Sequence, residues 1–303
     1  MPELPEVETT MRGLKRAVVG LVIKDVWSNL NTKDKRQKES VANTKFFTIF
    51  RKKIRNRKIL SVERRAKNIL INISGGYTIL VHLKMTGHLL YGKYKFLKKE
   101  NRWIPDEQGP LHDPFNRFVH VVFTFSNGKH LAFSDARKFG KITLLDTKTA
   151  HESKHLNNIG PEPLPKSFNL KKLKERLSKK PNGKIKTILM DQSIIAGIGN
   201  IYSDEILWRS GIHPERKVSK IEESKFILML KAIKETLSRG INLGGDSMSD
   251  YRNIKGLLGK FQLHHQAYMR TGEECKKRGC NGMIKRKMIN GRSAHFCSVH
   301  QIL

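Results

Sequence analysis

No stretch of this 303-residue chain approaches the eighteen or more consecutive apolar residues of a transmembrane helix. No targeting segment precedes the first amphipathic stretch, so the expectation is a soluble, cytoplasmic protein without a membrane partner. Cysteine is scarce as well. All three cysteines lie in the last thirty residues, which argues against a disulfide framework and for one local site. The third shortage is of acidic side chains: 59 Lys+Arg stand against 27 Asp+Glu, a formal net charge of +32. A compact state so charged repels itself unless a polyanion shares its surface, and nucleic acid is the first candidate. No internal repeat or heptad pattern is visible, and a monomer is expected.

What is present begins with Met1-Pro2-Glu3-Leu4-Pro5-Glu6-Val7-Glu8. Removal of Met1 would leave Pro2 with a secondary α-amine of pKa about 8, partly neutral at pH 7 and able to attack an electrophilic carbon. Glu3 and Glu6 stand beside it. Pro and Glu are equally ordinary openers of a helix, so this stretch alone does not distinguish a nucleophile from a helix start. Residues 3–18 read as an amphipathic helix with Val7, Met11, Leu14 and Val18 on one stripe. Short β-rich runs follow at 21–27, 46–50, 59–64, 69–73, 77–83, 119–125, 130–133 and 142–145. Gly75-Gly76 and Asn127-Gly128 are hairpin signals between such runs. This pattern predicts an antiparallel β-sandwich over residues 1–149, interrupted by a long basic loop at 92–117.

The Pro-rich stretch around Gly160-Pro161-Glu162-Pro163 marks a linker over 150–165. Beyond it the period turns helical, with helices at 170–179, 184–190, 200–209 and 221–239 in a domain spanning 166–261; Gly240 is read as the stop of the last helix. Ile194-Ile195-Ala196-Gly197-Ile198-Gly199-Asn200 joins two of these helices through a glycine turn. In the tail, 262–303, Cys275, Cys280, Cys297 and His300 can complete one closed, structural zinc site. Runs 283–288 and 293–296 read as a β-hairpin across Asn290-Gly291. The fold class is therefore α+β and multidomain: a β-sandwich with a leading helix, a helical domain and a zinc hairpin.

These residues together resemble the formamidopyrimidine-DNA glycosylase/endonuclease VIII family over essentially the whole length. The resemblance rests on Pro2 to Thr9, Arg64-Arg65-Ala66-Lys67, His82-Leu83-Lys84-Met85-Thr86-Gly87 and Asp135-Ala136-Arg137-Lys138-Phe139-Gly140. It continues through Gly160 to Leu164, Ile195 to Tyr202, Gly211-Ile212-His213-Pro214 and Gly291-Arg292-Ser293 before Cys297. It implies a helix-two-turn-helix domain and a monomeric enzyme that excises oxidised purines from duplex DNA and then cuts the strand by β,δ-elimination. In that scheme Pro2 attacks C1′, Glu3 is the general acid, Glu6 holds and tunes the terminal amine, and Lys67 and Arg292 bind the flanking phosphates. Met85, Arg137 and Phe139 fill the hole left by the flipped nucleotide. Lys138, Asn200 and Tyr202 are expected on DNA. The loop from Gly244 to Tyr251 resembles the one that covers the extruded base.

Four features depart from the family pattern. The first cysteine pair is two residues longer than usual and the last ligand is a histidine. A phosphate-binding histidine position falls at Phe118, which leaves His120 in its place. A basic position before Ile185-Lys186 falls at Asn182, still polar enough to bind phosphate. The loop 92–117 exceeds the family's length. Two alternatives stay open: an endonuclease VIII-like enzyme for oxidised pyrimidines, and a non-catalytic DNA-binding homologue.

Overall fold

The computed structural model describes residues 1–303. The chain opens with α1 (Leu4–Val18), β1 (Ile23–Ser28) and α2 (Thr44–Ile54). Strands β2 (Ile59–Arg65), β3 (Asn68–Ile73), β4 (Tyr77–His82), β5 (His88–Gly92), β6 (Tyr94–Leu97) and β7 (Arg102–Pro105) follow, then β8 (Val119–Phe125), β9 (His130–Ser134) and β10 (Lys141–Asp146). Helices α3 (Leu170–Leu177), α4 (Ile185–Met190), α5 (Asn200–Ser210) and α6 (Glu223–Asn242) come next, and β11 (Ile284–Ile289) and β12 (Arg292–Cys297) close the chain.

The chain forms two compact units. Unit 1 is Met1–Asn157 with Leu243–Lys260, and unit 2 is Asn158–Asn242 with Phe261–Leu303. Unit 1 holds two four-stranded antiparallel sheets, ordered β1-β8-β9-β5 and β10-β4-β3-β2. Alternating residues such as Val121 and Phe123 in one sheet and Ile69, Ile71, Ile79 and Val81 in the other enter a common core. Leu4, Val7, Leu14 and Val18 of α1 are fully buried, as the three- and four-residue spacing predicts.

Several expectations are corrected. The run 46–50 is part of helix α2, not a strand: Phe50 and Ile54 are buried one turn apart, and the Asn43 side chain caps the helix by accepting from the Phe46 amide at 3.0 Å. The stretch 92–117 is ordered structure. It contains the β6–β7 hairpin, whose Phe96 and Trp103 rings lie 5.4 Å apart, and ends at a buried Asn116 that accepts from His88 Nε2 at 2.9 Å. Helix α6 runs through Gly240 to Asn242. A Cβ on Gly240 would lie 2.6 Å from the Tyr202 ring, so this glycine provides close approach, not a stop.

Residues 243–260, which the sequence reading runs into the helical domain, fold with unit 1. The Tyr91 amide donates to the Ile254 carbonyl at 2.7 Å, and Ile254 fills the space over Gly13 of α1. The terminal hairpin packs within unit 2, where Lys186 Nζ, Asp204 and His295 Nδ1 form a fully buried chain with links of 2.5 and 2.9 Å. At the surface of the same unit, Glu215 accepts from Lys184 at 2.7 Å and Lys287 at 2.5 Å. These two lysines hold the Glu215 carboxyl down at about 2. A carboxyl depressed below its unfolded value stabilises the fold above pH about 4.5 and loses that contribution as pH falls through about 2. Acid titration of wild type should therefore show a loss of stability in this window that Glu215→Gln reduces, measured by denaturant midpoints at each pH.

Candidate nucleic-acid interface and metal centre

Helix α1 begins on a reciprocal cap. The Glu3 side chain accepts from the Glu6 amide, while Glu6 Oε2 accepts from the Glu3 amide at 2.7 Å. The other Glu6 oxygen accepts the Asp246 amide at 2.7 Å, and the Tyr251 hydroxyl donates to the Glu6 carbonyl at 3.1 Å. One carboxylate thus ties the chain start to the segment 243–260. Pro2, Glu3 and Glu6 are all buried, and both carboxylates are about as enclosed as core side chains. Desolvated acids beside the Pro2 nitrogen are suited to proton transfer there.

Lys67 sits in the two-residue turn between β2 and β3, with Ala66 at φ 52°. Arg64 anchors that turn, pairing with Glu8 of α1 at 2.7 Å and donating to the Ala66 carbonyl at 2.9 Å. Lys67 itself is buried. His82, opposite Asn68 in the sheet, has its pKa pushed down to about 3, first by burial and then by Lys84 and Lys67. Its Nδ1 accepts from the Lys84 amide at 3.0 Å, which leaves Nε2–H as a donor. The sequence reading assigns His82 no role. Its place in the motif with Met85 was the available signal.

Met85 is half-buried on the β4–β5 loop, while Arg137, Lys138 and Phe139 are exposed on the β9–β10 loop. The Arg137 guanidinium lies over the Phe139 ring at 4.6 Å. Asp135 couples the two loops. Its carboxylate accepts from the Thr86 hydroxyl, from the Arg137 amide at 3.2 Å and from the Gly140 amide at 2.7 Å. Asp135 is a positioning residue that sequence reasoning missed, because nothing in a one-dimensional string pairs it with Thr86. His120 is largely buried, with Nδ1 2.8 Å from Asn29 Oδ1. Burial, followed by the nearby Lys138, lowers its pKa. The expectation of an open phosphate ligand is corrected to a mostly interior histidine tied to Asn29.

In unit 2 the glycine turn is clamped by Gln192, which accepts the Gly197 amide at 2.8 Å and donates to the Met190 and Ile198 carbonyls. Asn200 opens α5, and its side-chain Nδ2 donates to the Ser293 hydroxyl of the hairpin at 3.4 Å. Asn182 and Arg292 are exposed, and Arg292 lines a cavity of about 310 Å³ with Asn290, Thr187 and Met190. Tyr202 is corrected: it is 0% exposed and stacks on Phe261 at 4.8 Å, so its ring is a core element, not a surface contact.

The Sγ atoms of Cys275, Cys280 and Cys297 and the ring nitrogen of His300 lie within 4.8 Å of one another. Cys275 and Cys280 Sγ stand 3.5 and 3.6 Å from His300 Nδ1, and Cys280 Sγ is 3.5 Å from Cys297 Sγ. Such separations suit donors arranged tetrahedrally at roughly 2.0–2.3 Å from an ion. His300 Nε2 donates to the Trp208 carbonyl at 3.0 Å, which leaves Nδ1 as the ligand atom. The four residues form a possible metal-binding cluster, Cys275 included despite the lengthened first spacing.

A half-buried Met85 with exposed Arg137 and Phe139 on coupled loops, in a strongly basic chain with a clamped glycine turn and a Cys₃His hairpin, defines a helix-two-turn-helix DNA glycosylase. Residues 1–142 match the formamidopyrimidine-DNA glycosylase N-terminal domain, and residues 159–252 match the formamidopyrimidine-DNA glycosylase H2TH domain. Relatives of that name include a Ruegeria pomeroyi protein, 37% identical over 98% of this chain and 99% of its own length. A Bacillus subtilis protein is 36% identical over 98% of each. Among solved structures, Lactococcus lactis Fpg in complex with abasic-site DNA superposes with TM-score 0.82 at 32% identity, covering 99% and 100% of the two chains. A mutant of the same protein with Fapy-dG DNA gives 0.83, covering both chains fully. The chain belongs to the formamidopyrimidine-DNA glycosylase family.

Proposed function

We propose that the protein is a bifunctional DNA glycosylase and AP lyase that removes oxidised purines from duplex DNA in base excision repair, with Pro2, freed of Met1, as its nucleophile. The observation that carries this reading is the buried Glu3–Glu6 cap around the start of the chain. Plain DNA binding has no use for two desolvated carboxylates beside a terminal amine. In this reading the Pro2 nitrogen bonds to C1′ as the base leaves with the proton that the amine loses, and the C1′–O4′ bond of the sugar then opens with a proton from Glu3 on O4′, giving an iminium. Loss of the C2′ proton from the resulting iminium then breaks the 3′ C–O bond, and a second elimination breaks the 5′ one. Glu6 holds the chain start, and Lys67 and Arg292 take phosphates beside the lesion. Lys138, Asn200 and Asn182 are further phosphate ligands, and Met85, Arg137 and Phe139 occupy the vacated stack, where apolar wedges replace lost stacking.

The Cys₃His cluster is assigned one structural zinc, which would hold the hairpin that presents Arg292. Metal analysis should return about one zinc per chain. Removing it with a strong chelator should loosen the hairpin and weaken DNA binding; full activity without metal would remove this role.

The test of the function is incision of duplexes carrying 8-oxoguanine opposite cytosine or, separately, thymine glycol, with borohydride trapping on each. Faster cutting of 8-oxoguanine with a covalent adduct is expected. Preference for thymine glycol would favour an endonuclease VIII-like enzyme, and no adduct on either would leave a binding homologue.

A further inference from the structure

Unit 1 contains a cationic hollow that the reaction scheme does not use. Asp34, Arg36, Lys84, Lys141 and His155 line a cavity of about 370 Å³, and the exposed Phe139 ring forms one wall. The two nearby carboxylates are already engaged. Asp34 is held by the Arg36 guanidinium at 2.8–3.0 Å, and Glu39 by Lys154 at 2.6 Å. Lys84 makes no ion pair, and the only hydrogen bond of the half-buried Lys141 ammonium is a long one, 3.4 Å to the Arg36 carbonyl. Burial lowers the pKa of Lys141 and of His155, and the mutual repulsion of Lys84, Lys141 and Lys154 adds to it. Lysines gathered into a hollow without a free carboxylate create a local positive potential that a tetrahedral anion neutralises. His155, kept neutral, can add an N–H donor to the same ligand.

We infer that this hollow binds a backbone phosphodiester of the DNA, held by Lys84 and Lys141 against the side of Phe139. The inference rests on the glycosylase reading above and deepens it. A phosphate seated there would brace the β9–β10 loop at Phe139, the ring that also carries the Arg137 guanidinium, so one contact would both add affinity and hold the wedge.

The test uses the full chain with Met1 removed and a duplex carrying a tetrahydrofuran abasic analogue. Lys84→Gln combined with Lys141→Gln should raise Kd by roughly tenfold at moderate salt, and should lower the slope of log Kd against log salt by about one. Neutral methylphosphonates are then placed singly at phosphates near the lesion on each strand. One position should cost wild type a similar factor and cost the double variant nothing, as groups in direct contact require. A silent position on the undamaged strand, or on the lesion strand, names the source of the phosphate. An unchanged Kd and slope, or methylphosphonate losses equal in both proteins at every position, overturns the inference. Borohydride trapping by wild type on a true abasic duplex reports separately on the glycosylase reading: an adduct without a silent position defeats only the phosphate site.

Discussion

With Met1 or any further residue left in front of Pro2, strand cleavage and borohydride trapping are expected to fall by on the order of 10³-fold or more, the scale of losing a covalent nucleophile. The physical reason lies in one nitrogen. As a free secondary amine of pKa about 8, Pro2 offers a lone pair to C1′ at neutral pH. Acylated by a preceding residue, the same nitrogen becomes an amide whose lone pair is delocalised into the carbonyl. Duplex binding should be largely retained, because the exposed Arg137, Lys138 and Arg292 do not depend on the terminus. Pro2→Gly with a free terminus provides the contrast: a primary amine still condenses with an aldehyde, so trapping should persist at a reduced rate. Mass mapping of the wild-type adduct should place it on Pro2. Cutting that survives N-terminal extension, with the adduct on a lysine such as Lys67, would falsify the assignment.

Asp204→Ala should destabilise the protein by about 3–5 kcal/mol, since it strands the buried Lys186 ammonium without its counter-ion. Asp204 also accepts from the His295 amide at 3.0 Å, so the same change releases strand β12 from α5. Loosening β12 disturbs Cys297 at its end and Arg292 at its start. Weaker metal retention and weaker DNA binding should accompany the loss of stability. Chemical denaturation monitored in parallel with metal release measures the first two, and duplex titration the third. Replacing the chain as a whole, Lys186→Met with Asp204→Leu and His295→Leu, should recover most of the stability, because buried ion networks are often no better than apolar packing of similar volume. A loss below about 1 kcal/mol for Asp204→Ala would mean that water reaches Lys186, and the account of the hairpin's attachment would fail.

Much of this architecture was legible in the sequence where periodicity was long and apolar positions were regular. Helix α1 and the paired runs of the sandwich follow from spacings of three to four and of two. Misreadings came where short apolar runs carry no period. Phe46-Phe47 beside Ile49-Phe50 reads as a strand until the Asn43 cap and the turn-spaced burial of Phe50 and Ile54 are seen. Gly240 reads as a stop because a helix-ending glycine and a glycine admitting a neighbouring ring look alike in one dimension. The stretch 92–117 reads as a loop because its strands are only four residues long and its aromatic ring partners, Trp27 and His130, are distant in the chain.

The sequence by itself determined the chemistry on offer: a proline directly after the initiator methionine, carboxylates beside it, an excess of cations and a Cys₃His donor set. These are properties of residue type and spacing, and they survive any arrangement of the chain. Only the tertiary structure decided which of those groups are held and by what. It gave Glu6 the Asp246 amide from 240 residues away, and it set Asp135 between two loops. It buried Tyr202 and His120, and it gathered Lys84 and Lys141 around a hollow. Each of these depends on contacts between segments far apart in the chain, which close only when the sheets and helices pack.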